Sequence, residues 1–197
     1  MKRLFAFLLV GFLLAPGLAA AQRYTELKPP QPTEAGGKIE VVEFFWYGCI
    51  HCYNLEPALE GWLKQLPPDA QFRRVPAVFN PRWEHDARIF YAFEALGLLD
   101  KLHRPFFDAI HQHRLRTDDP KALAQWLQKQ GIDAQKFSDV MRSFSVHSKT
   151  QRAKLMTAGY RIDGTPAIAV DGRYTVSAGE GMLETVSQLI GQARKQR

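Results

Sequence analysis

The chain of 197 residues has two cysteines, and they stand three positions apart, at Cys49 and Cys52. Sulfurs at that spacing in the first turn of a helix share a face and lie within reach of a disulfide. The first turn also carries N–H groups with no intrahelical partner and the positive end of the helix dipole, so a thiolate is favoured there over a thiol. The chemistry expected is thiol–disulfide exchange. Cys49 would be the acidic sulfur that meets a substrate, and Cys52, one turn in and more buried, would resolve the mixed disulfide. His51 lies between the two sulfurs, where a hydrogen bond or a positive charge from its ring would favour the Cys49 thiolate. Glu43 stands six residues before Cys49, between Val41-Val42 and Phe44-Phe45, and a carboxyl with those flanks is expected to be buried, with Arg74 on the next strand as its ion partner. A disulfide closing so short a loop constrains the unfolded chain little. The pair is there for reactivity rather than as a staple.

Several elements must position these groups. Ile39 to Trp46 is β-branched and aromatic with little alternation, the pattern of a central strand buried on both faces. It runs directly into a helix opening at Cys49, whose interior Pro57 is expected to bend it. Pro67-Pro68-Asp69 closes that segment, and Gln71 to Phe79 reads as the next strand. Before them, Gln22 to Gly37 is irregular and proline-rich, with a short edge strand expected near Tyr24–Leu27. From about Trp83 to Tyr160 the pattern is helical. Ile89, Phe93 and Leu96 form one stripe, Leu123, Trp126 and Leu127 another, and Phe137, Val140, Met141 and Phe144 a third. Gly97, the run Thr117-Asp118-Asp119-Pro120 and Gly131 separate them. A strand then returns at Ala167–Asp171, turns at Asp171-Gly172, continues at Tyr174–Ser177 and gives way to a last amphipathic helix carrying Met182, Leu183, Val186, Leu189 and Ile190.

The run from Glu43 through Phe44 and Phe45 to Cys49, His51 and Cys52, with Gly164-Thr165-Pro166 far downstream, resembles the DsbA-type thiol:disulfide oxidoreductases of the thioredoxin superfamily. The resemblance implies an α/β, thioredoxin-like fold with an inserted helical domain. Residues 1–21 would be a leader, 22–82 and 161–197 the thioredoxin-like part, and 83–160 the insertion. It implies that the Thr165–Pro166 bond is cis and faces the cysteines, leaving the Thr165 backbone free to pair with an extended substrate. Ile50, Thr165 and Pro166 would then contact substrate, and Glu43 would handle a proton or tune charge near Cys52. The dipeptide between the cysteines tunes how oxidising such a disulfide is, and Ile50 stands where the best-known members carry proline. The activity implied is oxidation of unfolded, newly exported proteins by the Cys49–Cys52 disulfide. A quinone-linked membrane partner of the DsbB type would reoxidise the enzyme, a monomer with no bound cofactor. Two alternatives stay open: a disulfide isomerase or reductase of the same superfamily, and a chaperone-like binding module in which the cysteines are incidental.

Met1 to Ala21 reads as a secretory leader. Lys2 and Arg3 precede an apolar run from Leu4 to Leu14, Pro16 and Gly17 interrupt it, and Ala19-Ala20-Ala21 fits cleavage after Ala21. The expectation is export to the periplasm, an oxidising compartment. The net charge of +6 falls to +4 without Lys2 and Arg3. The basic residues are spread along predicted helices rather than gathered with aromatics, which argues against nucleic-acid binding. His85, His103, His111, His113 and His147 fall in predicted helices or connections. His111 and His113, two apart, share no helix face, and no second ligand pair accompanies the cysteines at zinc-site spacing. No P-loop or complete dinucleotide fingerprint is present.

Overall fold

In the computed structural model, residues 24–197 are described. The leader and its expected cleavage site lie outside them. One mixed sheet holds the strands β1 (Thr25–Glu26), β2 (Ile39–Phe45), β3 (Ala70–Pro76), β4 (Ala167–Val170) and β5 (Tyr174–Ser177), in the spatial order β1-β5-β4-β2-β3. β2 is the inner strand that carries the chain toward the cysteines. It pairs in parallel with β3 and antiparallel with β4, and all seven of its residues are buried. That two-sided burial is why its sequence lacks alternation. The parallel β2–β3 pair requires a crossover, which α1 (Ile50–Leu63) supplies.

Successive residues of β2 feed two cores. Ile39 and Val41 pack with Leu59, Ile168, Val170 and the apolar stripe Val186, Leu189 and Ile190 of α7 (Met182–Lys195). Val42 and Phe44 face the other way, into a larger cluster shared with the helices between β3 and β4. Those helices are α2 (Pro81–Ala95), α3 (Leu99–His111), α4 (Pro120–Lys129), α5 (Ala134–Met141) and α6 (Phe144–Gly159). Among the described residues no helix is long and apolar enough to cross a membrane.

The element ends differ from the sequence reading for local reasons. β3 stops at Pro76 rather than reaching Phe79, because Asn80 caps α2: its Oδ1 accepts from the N–H groups of Arg82 and Trp83, with Pro81 at the first helical position. The expected stripe Phe137–Val140–Met141–Phe144 is broken before its last member. Ser143 caps a new helix by accepting from Val146 N–H, and Phe144, at its first position, is 85% exposed instead of buried. α4 begins as expected, with Asp119 accepting from Lys121 and Ala122 ahead of Pro120.

Candidate active site

Cys49 is the N-cap of α1 rather than its first helical residue. Its backbone is extended, with φ −87° and ψ 114°, and its sulfur occupies the place a serine or aspartate oxygen usually takes. The Cys52 N–H donates to that sulfur at 3.4 Å, and the Cys49 N–H closes a turn onto the Trp46 carbonyl at 2.9 Å. Both cysteines are unbridged, so the site is in its dithiol form. The Cys49 pKa falls from 9.0 to about 5. The largest cause is the hydrogen bond donated by the Cys52 thiol. Partial burial opposes it, and the Thr165 side chain and the backbone N–H groups of Cys52 and His51 add to the lowering. Cys52, fully buried, is shifted far upward, first by burial and then by its hydrogen bond to Cys49 and the nearby negative charges of Cys49 and Glu43. One sulfur is held as thiolate and the other as thiol.

His51 is exposed, and its backbone N–H figures among the groups lowering Cys49. Ile50 beside it is 47% exposed. Across the sulfur, the Thr165–Pro166 bond is cis, and Cys49 Sγ lies 3.3 Å from the Thr165 carbonyl oxygen, a bond only the protonated thiol can donate. Pro166 is buried and Thr165 partly exposed.

Beneath the cysteines is a buried ionic network. The β2–β3 register sets Glu43 opposite Arg74, and Arg74 Nε lies 3.0 Å from Glu43 Oε2. That contact is close but poorly aimed, since neither Glu43 oxygen nor Arg74 Nε completes a hydrogen bond. The well-made bonds of Arg74 run from Nη2 to the two Glu56 oxygens, at 3.2 and 3.1 Å. The two carboxyls therefore separate. Burial raises Glu43 to about 8 against the pull of Arg74, with the negative charges of Glu56 and Cys49 helping. At Glu56 burial also pushes upward, but the His103 hydrogen bond and Arg74 outweigh it and the pKa is lowered. Glu43 is the protonated member and Glu56 the ionised one.

Two histidines that the sequence places merely in helices extend this network. Burial lowers the pKa of His103, whose Nδ1 accepts from the Tyr47 hydroxyl at 2.9 Å and whose Nε2 points at Glu56 Oε1, 3.4 Å away. His111 Nε2–H donates to the Tyr47 carbonyl at 2.8 Å. Tyr53, stacked on His111 at 4.9 Å, donates its hydroxyl proton to Asp108 at 2.9 Å. α3 thus grips the loop before Cys49 through both the side chain and the backbone of Tyr47. The one signal in the sequence is the four-residue rhythm of His103, Phe107 and His111 along a helix face. Glu56, Arg74 and His103 also line a groove of about 440 Å³.

A family model described as the DSBA-like thioredoxin domain matches residues 65–191. The thiol:disulfide interchange protein DsbA of Bordetella parapertussis is 44% identical over 191 residues, spanning 93% of this chain and 91% of that one. The protein of the same name from Azotobacter vinelandii is 40% identical over 178 residues, spanning 88% and 83%. Among solved structures, DsbA of Pseudomonas aeruginosa superposes with a TM-score of 0.81 at 35% identity, covering 88% of this chain and 93% of that one. The oxidoreductase DsbA from Xylella fastidiosa gives 0.82 at 32% identity, covering 88% and 96%.

Proposed function

The chain belongs to the DsbA family of thiol:disulfide interchange proteins, and from that premise we propose that it works as an oxidase which passes the Cys49–Cys52 disulfide to unfolded polypeptides in the periplasm. It is a thiol:disulfide oxidoreductase with a thioredoxin-like fold and inserted helices. The observation that carries the direction of reaction is the opposed pair of pKa shifts: Cys49 drops to about 5 while Cys52 rises. A thiolate stabilised in the dithiol form makes the disulfide the less favoured state, and a disulfide so disfavoured oxidises others.

Each step follows from the site's electrostatics. A substrate thiolate attacks Cys49 Sγ. The Cys49–Cys52 bond breaks, and its electron pair goes to Cys52 Sγ. A sulfur with so high a pKa is a poor leaving group unless it is protonated as it leaves. The Glu43 carboxyl, protonated up to about pH 8 and close enough to raise Cys52, is the donor in this reading. The second substrate thiolate then attacks the substrate sulfur of the mixed disulfide, and Cys49 departs as thiolate. Two electrons have passed to the enzyme, and of the two substrate thiol protons one is balanced on Cys52 and one is left in solvent. Thr165, Pro166 and Ile50 border the sulfur and would guide the incoming chain, residues 83–160 would form the inserted helical domain, and a quinone-linked membrane protein of the DsbB type would restore the disulfide.

Trapping tests this. A Cys52→Ser protein, charged at Cys49 with a leaving thiol, should accumulate a stable mixed disulfide with an unfolded protein that has a single cysteine, whereas Cys49→Ser should accumulate none and oxidise nothing. A Cys49→Ser protein that still oxidised peptide thiols would remove Cys49 from the mechanism, and one that still bound unfolded chains without oxidation would favour the binding-module reading.

A further inference from the structure

α3 ends at His111, and this last residue touches the chain on both sides of the cysteine pair. Its Nε2–H donates to the carbonyl of Tyr47, which precedes Cys49 by one residue, Gly48, at 2.8 Å. Its ring stacks on that of Tyr53, the residue after Cys52, with centroids 4.9 Å apart and planes 19° from parallel. The same face of α3 holds Tyr53 at two further points. The Arg104 guanidinium lies over its ring at 4.8 Å, and Asp108 accepts its hydroxyl proton at 2.9 Å. Backbone bonds complete the frame: Cys49 N–H donates to the Trp46 carbonyl at 2.9 Å, and Tyr53 N–H to the Cys49 carbonyl at 3.1 Å. Between the two anchors lie Gly48 to Cys52, with both sulfurs and the two N–H groups that act on Cys49.

An imidazole at this place does what a hydrocarbon of the same bulk would not. Packing is already supplied by Phe107, one turn earlier on α3, whose buried ring meets both Tyr47 and Tyr53. His111 adds a donor with a fixed direction. The neutral Nε2–H tautomer and the cation both supply that donor, so the bond survives a change of charge on the ring. The Cys52 N–H reaches the Cys49 sulfur at 3.4 Å, and such a bond weakens steeply as its angle opens. A small rotation of the loop against α1 is enough to lose it. A hydrogen bond on one side of the pair and a ring stack on the other resist that rotation. We infer that His111 is a positioning residue: by tying Tyr47 to Tyr53 it keeps the N–H groups of His51 and Cys52 aimed at the Cys49 sulfur, and so sets how oxidising the disulfide is. The inference rests on Cys49 being the sulfur held as thiolate, and it assigns part of the cause to a side chain on another helix.

The test compares His111→Leu, which keeps bulk and removes the donor, with His111→Gln, whose side-chain amide can donate to the same carbonyl. Two quantities are measured on each: the Cys49 titration in the reduced protein, by ultraviolet thiolate absorbance, and the equilibrium with a glutathione redox buffer at pH 7. His111→Leu should raise the Cys49 midpoint by about one pH unit and move the glutathione equilibrium about tenfold toward the oxidised enzyme. His111→Gln should return both most of the way. Denaturant melts of the two redox forms separate positioning from support of the fold, since a residue that only supported the fold would weaken both forms alike and leave the titration in place. An unchanged midpoint and equilibrium in folded His111→Leu overturn the inference, and so does equal displacement in the Leu and Gln variants. Should His111→Leu not fold, Tyr53→Leu removes the stack while leaving the bond to Tyr47, and must displace the midpoint in the same direction; no displacement overturns the inference equally. Failure of the underlying reading looks different: the wild-type protein would itself show an ordinary Cys49 titration.

Discussion

The sharpest consequence of the site is a pH dependence that separates the two redox forms. In the folded dithiol protein Cys49 titrates at about 5, against about 8.5 in an unfolded chain. A depressed acid pKa stabilises the folded state fully above the unfolded value, and the contribution is lost as pH falls through the folded one. Between pH 5 and 8 the unfolded chain carries one proton more than the folded dithiol, so the stability of the reduced form gains up to about 1.4 kcal/mol per pH unit from this sulfur. At pH 7 two of those units count, about 2.7 kcal/mol, which solvent screening of a partly exposed sulfur lowers to about 1–2 kcal/mol. The disulfide form has no such proton. Its own advantage is the closure of a very short loop, about 2 kcal/mol on chain entropy and independent of pH. The reduced form should therefore trail the oxidised one at pH 4.5, draw level near neutrality and be the more stable at pH 8.

Denaturant melts of both forms from pH 4.5 to 8 measure this directly, read as the difference between the two midpoints multiplied by their slopes. Glu43, with its raised pKa, weakens both forms as pH climbs from about 4.3 toward 8, and to first order it cancels in the difference. Above pH 8 Cys52 begins to ionise in the unfolded reduced chain but not in the folded one, which sets the upper end of the window. Parallel curves, or an oxidised form that gains on the reduced one as pH rises, would refute the assignment of Cys49 as a stabilised thiolate and with it the oxidase direction.

Other outcomes follow from single groups. Iodoacetamide at pH 6 should label Cys49 and spare Cys52, as peptide mapping by mass spectrometry would show, and equal labelling would contradict the opposed shifts. Glu43→Gln should slow mixed-disulfide formation at pH 7 by about 100-fold, the usual share of a general acid, and should flatten the fall in stability of the oxidised form between pH 5 and 8; a rate unchanged in rapid-mixing experiments would return Glu43 to a purely structural role. His103→Leu leaves the Tyr47 hydroxyl without its acceptor and takes from Glu56 Oε1 one of its two partners, Arg74 remaining, and should cost about 1–3 kcal/mol in a thermal or denaturant melt. Asp119→Ala removes the α4 cap and should cost about 1 kcal/mol.

What was legible in the sequence is what short-range pattern dictates. The cysteine pair, the strand before it and the buried Glu43 with Arg74 opposite all sit between Ile39 and Arg74, and strand pairing carries one onto the next. Thr165–Pro166, though distant, carried its own local mark. The contacts of α3 have only the four-residue rhythm of His103, Phe107 and His111: His103 and His111 reach Tyr47 across 56 and 64 residues, and in sequence they look like ordinary members of a helix face. Trp46 reads as the end of a strand because an aromatic after Phe44-Phe45 continues the pattern, yet its ring leaves the core to lie over Gly48. Phe144 matched a helical period that the Ser143 cap interrupts. Periodicity records which face a residue would occupy if the helix continued, and it is silent on where a cap stops it.

The missed histidines bear on how the acidity of Cys49 arises. The ring of His51 lies where it would tune the sulfur, and the groups that lower it most are the Cys52 thiol, Thr165 and the N–H groups of residues 51 and 52. Backbone donors act only where the helix start puts them, and that start is set by the loop from Trp46 to Gly48. Tyr47 anchors this loop: its ring meets Phe106 and Phe107 edge-on at 4.7 and 4.9 Å, and His103 and His111 hold its hydroxyl and its carbonyl. Ile50, unlike a proline, keeps its own N–H at this start. The low pKa is thus a property of where α1 begins, and α3 in the helical segment helps to decide that. A change in the packing of α3 should move the Cys49 titration without touching either cysteine or His51.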